Sequence, residues 1–350
     1  MDTITHALSG ALIARATGGR AAALPLSRRI MLGTAAAAFP DADFLMSVGS
    51  PIAFLLNHRG ITHSLVVLPA WAWLLAWLAA CLWRDPRGWR PYISVAAMGV
   101  GIHIAGDLIT SYGTMILSPL SDGRFSLGTT FVIDLYFSGI ILAGLAASGL
   151  WRASRAPAIV ACAVLIGYVG FQAVLKHRAI GAGEEYARSQ DLAGAQVRAL
   201  ERPVSPFNWR IIVVRGDDQR YADVSLIAKN MPAPAAKNAG LIARLSATFV
   251  PVSMARWIAA PRFGAAPEDE RIAREAWKQP SFRFYRWFAD YPALYRIDRA
   301  NPSLCVWFED LRFSMPGRGN VPFCYGMCRQ GDGPWRPHQL MADGLRRPLD

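Results

Sequence analysis

The sequence predicts an α-helical, multi-spanning membrane domain of about five to six helices, residues 1–178, followed by a smaller α+β extramembrane domain, residues 179–350. Three observations carry this. Hydrophobic residues make up 53% of the chain and charged residues only 18%, where a soluble domain usually carries about 25% charge. The charge is uneven: residues 1–175 hold 11 Lys+Arg and 7 Asp+Glu, and the remainder holds 26 and 18. Several first-half stretches also approach the roughly 20 apolar residues that a bilayer crossing needs. This composition excludes disorder, and five cysteines exclude a disulfide-dense mini-protein. The formal charge of +12 would suit a nucleic-acid binder. In a membrane protein, however, excess arginine marks the cytoplasmic ends of helices, and no direct nucleic-acid partner is expected.

Along the chain, Thr3–Ala16 is apolar but short, either a partial span or an interfacial helix, and it lacks the basic start of a cleaved signal. Ile30–Leu45 is a weaker span, interrupted by Pro40, Asp41 and Asp43. Ser64–Trp83 and Pro157–Leu175 carry no charge, Pro91–Ser121 carries only His103 and Asp107, and Thr130–Trp151 only Asp134. In the second half, Glu184–Leu200 and Glu268–Lys278 have helical composition. Trp209–Arg215 and Arg220–Ala228 flank Gly216-Asp217-Asp218, a hairpin signal. Ser303–Phe313 alternates like a half-buried strand, Asn230–Gly240 reads as a loop, and the tail after Gly331 is expected to be irregular.

The arginines set a topology. Arg15, Arg20, Arg28 and Arg29 follow the first helix, Arg84, Arg87 and Arg90 the third, and Arg152 and Arg155 the fifth. These loops alternate along the chain, so they fall on one side, and that side should be cytoplasmic. The opposite loops hold only Arg59 and Arg124. The domain after residue 178 then lies outside, in the periplasm of a bacterial inner-membrane protein. The same topology gathers His6, Asp41, Asp43, His58, His63, His103 and Asp107 towards the outer face.

Imidazole and carboxylate are ligands of catalytic Zn²⁺, and of Mn²⁺ or Fe²⁺. His103 and Asp107, four apart, share one helix face, and Pro40 can break its helix so that Asp41 and Asp43 turn inward. The expected ligands are His6, Asp43, His58, His63, His103 and Asp107, more than one tetrahedral ion needs, so a two-metal site stays open. Asp41, Asp107 and Asp43, where not ligating, are the candidates for general base, Asp41 and Asp107 foremost. Plainer roles compete: Asp41 or Asp43 as helix cap, His58 and His63 as interfacial residues, and His103–Asp107 as a structural hydrogen bond. Asp134 is a ligand, a partner behind one, or a helix start. Arg59 binds an anionic group such as phosphate, or a lipid headgroup. Ionisable residues within a membrane are costly and mark function, so the cluster points to a hydrolase acting on a membrane-associated substrate. The alternatives are a transporter or proton relay using His103 and Asp107, and a membrane anchor for the outer domain.

Of the cysteines, Cys81 and Cys162 are expected to pack within spans, and two of Cys305, Cys324 and Cys328 to pair in an oxidising compartment. The aromatic stretch Phe282–Tyr295 suits packing or a membrane interface better than base stacking.

At these motifs the sequence resembles a known family. Met1-Asp2-Thr3-Ile4-Thr5-His6, Pro40-Asp41-Ala42-Asp43, His58-Arg59-Gly60-Ile61-Thr62-His63-Ser64 and His103-x3-Asp107 carry the resemblance, continued by Tyr112-Gly113 and Pro119. They look like the YdjM-type inner-membrane metal-dependent hydrolases, described as LexA-binding, over roughly residues 1–180 and more loosely beyond. The resemblance implies a multi-spanning protein with hydrolase activity and a site at His6, Asp41, Asp43, His58, His63, His103 and Asp107. It also implies LexA as a partner, although the topology puts the outer domain out of reach of a cytoplasmic repressor. A fainter similarity to zinc-dependent phospholipase C proteins implies a phosphodiester or phospholipid substrate.

Overall fold

Asp2 opens the first helix by accepting the Thr5 backbone N–H at 3.0 Å, the side-chain cap that an N-terminus lacks otherwise, and α1 runs Thr3–Ala16. In this computed structural model residues 1–18, 24–233, 236, 239–300, 302–315 and 321–349 are described; Arg20 and part of the 230–240 loop lie outside them. After α2 (Leu26–Ala38), Pro40 withholds a backbone donor and the chain tightens into a 3₁₀ segment, Phe39–Ser47. Then come α3 (Pro51–Asn57), a 3₁₀ turn (Ile61–His63), α4 (Leu68–Leu82), α5 (Ile93–Leu108), α6 (Leu135–Leu150) and α7 (Ala156–Ser189). The chain divides into two compact units, residues 1–49 with 57–174 and residues 50–56 with 175–350.

Small residues let the helices of the first unit touch at their backbones. A Cβ on Gly33 of α2 would lie 2.6 Å from the Gly10 carbonyl oxygen of α1, and one on Gly99 of α5 would lie 2.6 Å from Ala36 Cβ. Ala36, Ala72, Ala76, Ala96 and Val100 fill the core around that crossing. Close approach over small side chains is how helices associate where lipid supplies no hydrophobic drive. Its consequence is positional: His6 sits one turn before Gly10, and His103 one turn after Gly99.

The arginine loops meet at one end of this unit. Arg28 lies over the Trp83 ring and 3.9 Å from Asp85. Arg15, buried, donates to the carbonyls of Arg152 and Ser154 at 3.0 and 2.6 Å, which satisfies backbone acceptors that the end of a helix leaves open.

Among the described residues α7 is the one helix of full spanning length and apolarity; Pro51–His63 and Leu68–Leu82 reach it only if taken together as one bent span. α5 and α6 are apolar but have 16 residues each, roughly 24 Å of helix against a hydrocarbon core of about 30 Å. The spans expected at 91–121 and 130–151 are thus shorter than their apolar stretches, because residues 109–134 fold as turns. Trp73, Trp77, Leu82, Leu142, Leu150 and Ile166 are exposed.

The second unit is built on two sheets. β1 (Gln196–Glu201), β2 (Asn208–Arg215), β3 (Asp218–Ser225) and β4 (Val250–Pro251) form one in that order, with β5 (Ile258–Ala259) also pairing β3. β6 (Pro292–Ala300), β7 (Ser303–Asp310), β8 (Tyr325–Gln330), β9 (Arg336–Leu340) and β10 (Arg346–Pro348) form the other, antiparallel throughout. Three short helices accompany them, α8 (Leu241–Ser246), α9 (Pro267–Trp277) and α10 (Arg283–Phe288). Two expectations are corrected. Residues 190–200 are not helical: Asp191 and Gly194 take left-handed backbone conformations (φ 51° and 75°), which end α7 and turn the chain into β1. The tail after Gly331 is not irregular but forms β9 and β10. Their Arg and Pro residues hide strand character by composition, yet such residues suit β10, which forms the edge of the sheet. Phe282, Tyr285 and Phe288 are fully buried, so the aromatic stretch is packing. Cys305 and Cys328 form a disulfide across β7 and β8. Cys324 stays a free thiol, and burial pushes its pKa well up, away from the reactive thiolate.

Candidate metal centre

The cluster starts from α5, whose turn places His103 and Asp107 on one face with Nε2 and Oδ2 3.5 Å apart. Both side chains are buried. The crossing of α1 over α2 and α5 brings in His6, whose ring stacks on His103 with centroids 3.7 Å apart and whose Nε2 lies 3.1 Å from Asp107 Oδ1. The 3₁₀ turn contributes His63, its Nε2 2.9 Å from His103 Nε2 and 3.1 Å from Asp107 Oδ2. Asp41, on the 3₁₀ segment after Pro40, puts Oδ1 3.7 Å from His103 Nε2 and 4.0 Å from His63 Nε2. Its other oxygen accepts from Thr3 Oγ1 at 2.6 Å.

Hydrogen bonds behind the cluster fix the imidazole tautomers. The Ala37 carbonyl can only accept, so His103 Nδ1, 2.6 Å away, carries the proton. Thr62 gives its hydroxyl proton to Asp43 Oδ2 at 3.2 Å, leaving its oxygen to accept from His63 Nδ1 at 2.9 Å. With both imidazoles neutral, the Nε2 atoms present lone pairs to each other at 2.9 Å, a contact that a proton or a metal ion between them makes favourable. Asp107 Oδ2 points into the same space and accepts no hydrogen bond among the described residues.

The donor set fits a metal. Donor atoms of His6, Asp41, His103 and Asp107 lie within 4.8 Å of one another, and His63 Nε2 adjoins three of them. Four donors about 2.1 Å from a tetrahedral ion would sit roughly 3.4 Å apart, and the contacts of His63 Nε2 with His103 Nε2, Asp107 Oδ2 and Asp41 Oδ1, 2.9, 3.1 and 4.0 Å, bracket that spacing. Nitrogen and carboxylate oxygen without thiolate suit zinc, manganese or iron.

Asp43 and His58 stand one bond further back. Asp43 accepts from His58 Nδ1 at 2.8 Å and from the Arg59 backbone N–H at 2.9 Å, besides Thr62. Residues two apart on a 3₁₀ helix point about 120° apart, which is why Asp41 faces the ion space and Asp43 faces the loop that orients His63. Arg59 sits at φ 61°, left-handed for a residue with a side chain. That turn directs its N–H to Asp43 and its guanidinium to Asp107 Oδ1 at 2.9 Å and Thr110 Oγ1 at 2.9 Å. The Met1 nitrogen also contacts Asp107 Oδ1. Asp134 is absent from the cluster: it caps α6 by accepting from the Tyr136 and Phe137 N–H groups and ties Tyr168 and Gln172 to that end. Of the orienting groups, Thr3, Thr62 and the Ala37 carbonyl escaped sequence reasoning; only Thr62 carried a signal, its place between His58 and His63.

These features define a helical protein with a buried histidine–aspartate centre able to hold a metal ion, joined to a β-sheet unit. The chain belongs to the YdjM inner membrane protein family, whose model matches residues 1–179. It is similar to the uncharacterized protein YfhP of Bacillus subtilis, 26% identical over 182 residues, which cover 50% of this chain and 53% of that protein. The chain thus spans about half the length of this relative. No solved structure matches.

Proposed function

We propose that this protein is a metal-dependent hydrolase of the inner membrane, acting on a membrane-associated phosphodiester or phospholipid. The observation that carries the proposal is the approach of the His63 and His103 Nε2 atoms to 2.9 Å beside an Asp107 oxygen that accepts no hydrogen bond among the described residues. A divalent ion, zinc in this reading, would supply Lewis acidity and acidify water. His63, His103 and Asp107 would hold it, with His6 and Asp41 completing the set. Asp41, the least enclosed of these carboxylates, is placed to take a proton. Arg59 pairs with Asp107 at 2.9 Å and offers positive charge to a substrate anion.

Multiple crossings by α4, α5 and α6 as well as α7 are part of the proposal, supported by the exposed apolar residues on α4, α6 and α7. An outer location for the second unit is supported by the arginine loops and by the Cys305–Cys328 disulfide, which an oxidising compartment maintains. The test is metal analysis of protein purified without added metal, coupled to a screen of lipid and phosphodiester substrates. One bound ion, and a hydrolysis lost in His63→Ala and His103→Ala, is the expected result. Protein free of metal, with function intact in both variants, would overturn the proposal.

A further inference from the structure

A cavity of about 290 Å³ opens among α1, α5, α6 and α7, lined by Leu12, Ile102, Ala105, Phe137, Leu165 and Val169. Its lining includes the Ser9 side chain, whose hydroxyl is already engaged by the Thr5 carbonyl at 2.8 Å. Two wall residues join it to the metal centre. Ser9 lies one turn from His6 on α1, and Gly106 adjoins Asp107. A Cβ on Gly106 would come 3.1 Å from His6 Cε1, so this lining residue packs directly on the His6 ring. At the rim, Ile166 is 76% exposed, part of the apolar surface of α7. In the cluster, the buried Arg59 has an Nε without an acceptor among the described residues.

An apolar slot lined by Gly106, which packs on His6 of a buried centre of imidazoles, carboxylates and the Arg59 guanidinium, has the chemistry of an amphiphile site. We propose that the cavity seats an acyl chain of an anionic lipid whose phosphate headgroup lies at the His/Asp cluster beside Arg59. This rests on the hydrolase reading and names its substrate class: the substrate is a chain-bearing lipid and not a free phosphodiester. The apolar lining holds the chain, and the chain's position sets which headgroup bond reaches the cluster.

The test uses the full chain in phosphatidylglycerol vesicles containing a trace of phosphatidylglycerol with a photoactivatable acyl chain. Adducts are located by peptide mass spectrometry. In the unaltered protein the adducts should concentrate on the lining residues of α1, α5 and α7, about tenfold above the exposed face of α4. Lysophosphatidylglycerol should compete, whereas glycerol phosphate should not. Ala105→Phe, which puts a ring into the cavity from a position without core contacts, should remove the excess. His103→Ala should retain it, so chain binding is scored apart from metal and hydrolysis. An even spread of adducts over all exposed apolar helix faces would overturn the proposal. So would competition by glycerol phosphate, or adducts joining two copies of the chain through the cavity. Were Ala105→Phe to misfold, the distribution in the unaltered protein still decides.

Discussion

Replacing Gly33 by alanine perturbs the crossing that assembles the metal centre without touching any ligand. The new Cβ would stand 2.6 Å from Gly10 O and 2.7 Å from Ala14 Cβ. A carbon–oxygen contact settles at about 3.3 Å, so α1 and α2 must part by roughly 0.7 Å, the difference of those two values. His6 rides on α1 and Asp41 follows α2, so both move relative to His103 and Asp107. Overpacking of this kind costs about 1–3 kcal/mol, and a displaced supporting shell weakens metal binding roughly 10–100-fold. The assay is competition for zinc against a chromogenic chelator, paired with a thermal melt in detergent. Gly139→Ala on α6 is the control, since a Cβ there meets nothing within 4 Å and helix propensity alone favours alanine by about 1 kcal/mol. If Gly33→Ala matched Gly139→Ala in both affinity and melting, the crossing would not be what positions the site.

Ligands and their supports should separate in titrations: His63→Ala is expected to abolish stoichiometric metal binding, while His58→Ala, acting through its bond to Asp43, lowers affinity about 10–100-fold. Arg59→Met leaves a buried carboxylate short of its counter-charge, and a destabilisation of about 3–5 kcal/mol should appear in denaturant melts. Arg59→Lys should rescue this poorly, because one ammonium cannot serve both Asp107 and Thr110 in a fork. Cys305→Ser removes a cross-link that closes a loop of 23 residues and should cost the second unit about 3 kcal/mol. In intact cells the two cysteines should resist maleimide until a reductant is added; labelling without reductant would contradict an outer location.

Much of the cluster was legible because charge is scarce in the first half. His6, Asp41, Asp43, His58, His63, His103 and Asp107 stand out against apolar surroundings, and the i, i+4 spacing of His103 and Asp107 needs only helix geometry. The order of the cluster was not legible. That Asp41 faces the ion space while Asp43 supports His63 depends on a 3₁₀ twist after Pro40, and apolar periodicity says nothing of it. The arginine count conveyed sidedness, yet Arg15 and Arg29 are buried and act within the packing, Arg15 as donor to the 152–154 carbonyls. In the second unit, the hairpin at Gly216 was read correctly because β-branched residues flank it. β9 and β10 were missed because Arg, His and Pro carry little strand propensity; the signal lay in Asp343-Gly344, a turn pair whose glycine takes φ 84°.

The hydrolase proposal requires His63, His103 and Asp107 to converge on one cation. X-ray absorption on the metal edge of protein purified without added metal tests it most directly. One ion per chain is expected, in a shell of imidazole nitrogen and carboxylate oxygen at about 2.0–2.1 Å, and lost in His103→Ala. Folded protein with no ion, or an ion with sulfur ligands unaffected by His103→Ala, would contradict it.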